Sequence, residues 1–219
     1  MTTMKLDLEP LPSRLLKLPI DARGYPVPWF VAWVPGPDGV DVPEFRAMDA
    51  QKFVRAVKEK RCWVCGDVLG KWLTFPIGPM CAITRTISEP PSHQECAEWS
   101  VRNCPFLSTP NMTRRDRHLP EEHHDLAGVS ILRNPGVALV WVTRDWYIYP
   151  DPNGQPLFNI GKPEATMWYS HGRDATRDEV MASIESGLPI LQEAAATDGD
   201  QAVKELEAMT KRALELLPA

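Results

Sequence analysis

The sequence predicts an α+β fold, in which a small central metal-binding module packs with a small antiparallel sheet and C-terminal helices. Three observations lead there. Short apolar runs bounded by turn residues recur at residues 28–34, 137–143, 146–149 and 156–160, which is strand patterning. Residues 176–219 switch to helical spacing behind a capping signal. Between them, Cys62-Trp63-Val64-Cys65-Gly66 and His93-Gln94-Glu95-Cys96 place four metal-ligand side chains in two close pairs.

The chain has 219 residues, 43% of them hydrophobic and 24% charged, which is enough for a packed core and argues against wholesale disorder. Twenty-two prolines and eight tryptophans point to short elements, irregular connections and aromatic packing. The net charge of −5 comes from residues 176–219, which hold four basic and nine acidic side chains, so residues 1–175 are near neutral. A globally basic nucleic-acid binder is excluded. The first ten residues carry acidic groups where a signal peptide needs an apolar stretch, and no apolar run reaches membrane-spanning length. A cytoplasmic location without membrane contact is expected. Five cysteines are then thiols or metal ligands rather than disulfides.

Taken in order, residues 1–60 read as an extended Pro- and Leu-rich arm, a hairpin and a helix. The hairpin pairs 28–34 with 43–48 across the turn at residues 35–39. Asp49 caps a helix over 50–60 with Phe53, Val54 and Val57 on one face. Residues 61–107 form the metal module and 108–126 a polar loop. Residues 127–219 supply β-hairpins, one of them turning at Asp151-Pro152-Asn153-Gly154, and then helices. Thr176 and Glu179 have capping-box spacing, with Gly187 and Pro189 as the stop. A last helix carries Val203, Leu206, Thr210, Ala213, Leu214 and Leu217 on one stripe. All four stretches are expected to pack as one unit.

Zinc binds thiolates and imidazoles at tetrahedral positions about 2.0–2.3 Å away. A Cys-x-x-Cys-Gly turn offers two thiols on a backbone that folds back on itself, with Gly66 providing the unusual backbone angle. Ser92 and Glu95 predict a capped helix from His93, which puts His93 and Cys96 on one face of its first turn, near the positive end of the helix dipole. Residues 71–75 and 80–86 are predicted to form a hairpin around Pro76–Pro79. The expected ligand set is Cys62, Cys65, His93 and Cys96, holding one structural Zn²⁺, with Cys81 as rival to His93. Cys104 lies about 12 Å along a helix from Cys96 and cannot share its ion. Four protein ligands leave no site for an activated water, so the zinc is read as structural.

Knuckle, hairpin and ligand-bearing helix resemble a treble-clef zinc finger over residues 61–104. Arg114, Arg115 and Arg117 are candidate nucleic-acid contacts. With His118, His123, His124 and Asp125 they also suggest a metal-dependent nuclease site by analogy with HNH endonucleases. Those enzymes, however, carry a catalytic histidine on the finger hairpin, and residues 71–86 contain none. The segment from His171 to Glu179 offers a helix N-terminus with Arg173 and Arg177 near it, and a self-capped helix is the preferred reading. Most tryptophans are expected in the core, with Trp63 partly exposed and facing a partner.

Seven phrases together are similar to a family of uncharacterised phage, prophage and bacterial proteins. They are Gly24–Trp33, Cys62–Gly66, Ile77–Cys81, Glu89–Ala97, Cys104–Leu107, Asn134–Val137 and Gly172–Arg177. The resemblance implies a bacterial cytosol and a phage accessory role, with no assigned activity. The functional expectation is a zinc-stabilised, non-enzymatic binding protein acting on a host protein or nucleic acid; the alternative is the nuclease just described.

Overall fold

The computed structural model describes residues 8–113 and 133–219. The first described residues run along the body as expected. A 3-10 turn at Ser13–Leu15 buries Leu15 and brings Leu18 against Cys62, Cys65 and Trp99. Farther back, the Glu9 amide donates to Asn103 Oδ1 at 2.8 Å, and Trp99 Nε1 donates to the Glu9 carbonyl at 3.2 Å.

Strands β1 (Val31–Pro35) and β2 (Asp41–Met48) form an antiparallel hairpin. The strand begins three residues later than the sequence suggests, because the preceding stretch is used elsewhere. The Trp29 amide donates to the Val64 carbonyl at 2.7 Å, and Val31 N closes a turn onto Pro28 O. Helix α1 (Ala50–Lys58) starts as predicted, with the Asp49 side chain accepting from the amides of Gln51 and Lys52. Val54 points outward instead of joining Phe53 and Val57.

Strand β3 (Leu73–Ile77) and helix α2 (Pro79–Thr84) replace the hairpin predicted for residues 71–86. Pro79 has no N–H for a ladder and a φ preset for a first helical position. The apolar side chains Met80, Ala82 and Ile83 then find burial on one side of a helix. Strand β3 instead pairs antiparallel with β5 (Ala138–Thr143), from Leu73 opposite Thr143 to Ile77 opposite Leu139. Both strands are buried on both faces, so each needs cover above and below. A local hairpin lacks that cover.

Strand β4 (Thr86–Ile87) is followed by α3 (Gln94–Asn103) and α4 (Pro105–Ser108). After β5 come β6 (Trp146–Pro150) and β7 (Pro156–Ile160), joined at the predicted Asp151–Gly154 turn. Strands β8 (Ala165–Ser170) and β9 (Arg173–Asp174) complete the β elements among the described residues. The sheets have orders β1-β2, β3-β5-β8-β9 and β4-β7-β6.

Alternation along β5 decides what covers each face. Ala138, Val140 and Val142 meet Ala97 and Val101 of α3. Leu139 and Trp141 turn to the main core, with Phe75, Phe158, Ile160 and Trp168. That core is closed by α2 and by helices α5 (Arg177–Asp198) and α6 (Asp200–Leu214).

The capping box of α5 forms: Thr176 Oγ1 accepts from the Glu179 amide, and Glu179 Oε2 accepts from the Thr176 amide at 2.8 Å. The predicted stop does not. The helix runs through Gly187 and Pro189, although an interior proline costs about 3 kcal/mol. Gly187 lies so close to α2 that a Cβ there would meet Met80 Sδ at 3.0 Å, while Leu188 and Leu191 pack onto the core. Packing along the whole helix offsets the local penalty. No helix among the described residues is long and apolar enough to cross a membrane.

Candidate metal centre

The knuckle is built by backbone hydrogen bonds before any side chain is considered. The Gly66 amide donates to Cys62 O at 2.9 Å, and the Cys62 amide donates to Asp67 O at 2.7 Å. Gly66 has φ +77°, and a Cβ at that position would lie 2.7 Å from the Trp29 ring. Glycine is therefore required twice, for the left-handed backbone and for the close approach of the indole. The fold-back aims amides at sulfur: the Cys65 and His93 amides each reach Cys62 Sγ at 3.4 Å.

The second pair arrives on α3 with a different start from the one predicted. His93 is the N-cap and Cys96 lies in the first turn. Ser92 does not cap the helix, because its backbone is taken by β3. Ser92 N donates to Thr74 O at 2.7 Å, and Thr74 N donates back to Ser92 O at 3.0 Å. Glu95 turns instead to Arg14, whose Nε donates to it at 2.7 Å. The β3 bridge thus holds the helix entry in place of the capping box.

Cys62, Cys65, His93 and Cys96 lie close together and could bind one metal ion, their ligand atoms all within 4.8 Å of one another. Tetrahedral zinc with thiolate and imidazole ligands needs donor separations of about 3.5–3.8 Å; Cys65 Sγ and His93 Nδ1 are 3.4 Å apart. The other imidazole nitrogen, Nε2, is 3.2 Å from the Val68 carbonyl and donates to it, which leaves the Nδ1 lone pair for a metal. This outer partner, two residues past Gly66, had no signature in the sequence. Neither had the ion-pair cluster beside the site, in which Arg14 and Lys17 converge on Asp67.

Electrostatics within the cluster favour a shared cation. Burial opposes ionisation of Cys62, yet hydrogen bonds from Cys65, Cys96 and His93 outweigh it and push its pKa down. The hydrogen bond to Cys62 is the main cause that pushes Cys96 up. Hydrogen bonds to Cys62 and Cys65 raise His93 to about 10. When protons alone balance the charge, the four groups compete for them. A divalent cation replaces those protons, so binding releases them.

Cys81 and Cys104 stand outside the quartet. Burial pushes the Cys81 thiol up to about 11 and raises Cys104 as well, as expected of space-filling thiols. Trp63 is buried rather than partner-facing. It stacks on Phe30 with centroids 4.9 Å apart and meets Phe53 edge-on, because the hairpin before α1 folds over the knuckle. Trp33 and Trp72 are the indoles left well exposed.

The N-terminus of α5 is capped by the chain itself, in line with the preferred reading. Arg173 binds Glu179 through two nitrogens, at 2.7 and 3.0 Å, and Arg177 Nη1 donates to Pro218 O at 3.1 Å. Arg114, Arg115, Arg117, His118, His123, His124 and Asp125 lie outside the described residues. The chain matches no protein-family model, no curated protein and no solved structure.

Proposed function

We propose that the protein is a zinc-stabilised, non-enzymatic binding protein, a phage accessory factor that works in the bacterial cytoplasm on a host protein or nucleic acid. The observation that carries the zinc assignment is the convergence of three sulfurs and one imidazole nitrogen on one point. Soft thiolates with one imidazole in a tetrahedral arrangement select zinc, and four protein donors fill its coordination shell. The knuckle and α3 are read as the two ligand-bearing parts of a treble clef, with the segment between them recruited into the main sheets.

Elemental analysis of purified protein is expected to find one zinc per chain, lost in Cys62→Ser and Cys96→Ser. A substoichiometric metal content in the wild type rejects the assignment. For the absence of catalysis, plasmid DNA incubated with the protein and Mg²⁺ or Mn²⁺ should stay intact. Cutting that disappears in His123→Ala or His124→Ala would establish the nuclease instead. Affinity capture with the zinc-loaded protein identifies the partner.

A further inference from the structure

Beside the metal centre, between the C-terminal end of α1 and the β5–β6 turn, lies an open cleft of about 340 Å³. Its apolar surfaces are formed by Ala56, Leu69, Leu73 and Pro91, and Trp146 adds an aromatic one. Lys60, Lys71 and Arg144 bring three cations to the same cleft, together with Asp145. Trp72 is 43% exposed at its side, with Lys71 Nζ 5.4 Å and the Arg144 guanidinium 5.3 Å from its ring centroid.

Two of these cations are not taken up by ion pairs within the fold. Lys60 and Lys71 make no ion pair among the described residues. Arg144 is oriented by Glu164, which accepts from its Nε at 2.7 Å and also from Nη2; Nη1 is left for another acceptor. The cations stand around an apolar hollow with one indole, Trp146, in its wall, and Trp72 lies in the chain between the lining residues Lys71 and Leu73. The size falls in the range of small-ligand clefts, about 300–1,000 Å³. Cations along an apolar, aromatic surface match a flat heterocycle that carries a phosphate. Asp145 supplies an acceptor for an amino group on such a ring.

We propose that this cleft binds a nucleotide unit, its phosphate held by Lys60, Lys71 and Arg144 and its base lying against Trp72 or Trp146. The shared chemistry is base plus phosphate, whether free or in single-stranded nucleic acid. The proposal rests on the binding-protein reading and narrows the nucleic-acid half of it to a place. It also ties the metal to the ligand. Leu69, Gly70 and Lys71 leave the knuckle directly, Pro91 leads into His93, and the His93–Val68 hydrogen bond joins the two segments.

Fluorescence anisotropy with a labelled single-stranded oligonucleotide, zinc-loaded protein and low salt tests it. Binding is expected, weakened at least tenfold by Lys60→Glu with Lys71→Glu and also by Trp72→Leu. Lys204→Ala with Lys211→Ala, which removes two positive charges from α6 outside the cleft, should shift affinity less than twofold. Circular dichroism and zinc content, measured on every variant, confirm that each is folded and loaded. Displacement by AMP assigns the free nucleotide; displacement by unlabelled oligonucleotide alone assigns the polymer. Two results overturn the cleft. In one, the cleft variants bind like wild type while changing Arg114, Arg115 and Arg117 to Ala abolishes binding, so nucleic acid remains the partner. In the other, neither oligonucleotide nor AMP binds at all, which leaves a host protein as the partner.

Discussion

Gly66 concentrates two demands on one residue, a left-handed backbone and an indole packed where a side chain would start. Gly66→Ala should cost about 2–4 kcal/mol, combining left-handed strain with displacement of Trp29. Urea unfolding of the purified protein reads this directly, and a midpoint equal to wild type contradicts it. The thiols, the imidazole and this glycine were legible in sequence because metal ligands come as fixed chemical types at short spacings. Burial of Trp63 was not legible. An indole inside a knuckle looks the same whether it faces water or Phe30, and the hairpin that covers it lies some thirty residues upstream.

At the scale of elements, α5 shows local signals obeyed at one end and overruled along the length. Its capping box forms because Thr176 and Glu179 need only each other. The hydrogen bonds from Arg173, aided by the Thr176 amide, hold the Glu179 carboxyl down at about 2, below its ordinary 4.5. A lowered folded-state pKa gives stability that is fully present above pH 4.5 and is lost as pH falls through about 2. Acid titration of Glu179→Gln should therefore show a shallower loss of stability over that window than the wild type. An identical acid limb in both proteins would show that the cap contributes nothing. Pro189, by contrast, sits inside a helix that packing sustains. Pro189→Ala is expected to raise stability by about 1–3 kcal/mol through restored backbone hydrogen bonding. A lower Tm in that variant would mean that the proline's shape is itself required by the helix.

For the whole molecule, the hydrophobic interior is divided. Leu15, Leu18 and Trp99 pack around the cysteines, apart from the main core around Phe75, Trp141 and Phe158. Metal binding contributes about 10–16 kcal/mol in structural zinc sites, comparable with the whole stability of a domain. Chelation by EDTA should therefore release the arm and knuckle first. Limited proteolysis is expected to cut within residues 8–30 and 61–70 before it cuts β5 or β8. Simultaneous digestion of all these segments would show one cooperative unit instead.

The sequence by itself determined the α+β class, the β6–β7 hairpin, the caps of α1 and α5 and the four side chains that cluster as candidate metal ligands. Each depends on neighbours within a few positions, or on chemistry that few side chains possess. Tertiary structure alone decided that residues 73–77 pair with 139–143, that residues 79–84 coil into a helix, and that α5 passes through its proline. In all three, the local preference is worth a few kcal/mol at most, and burial against distant apolar surface is worth more.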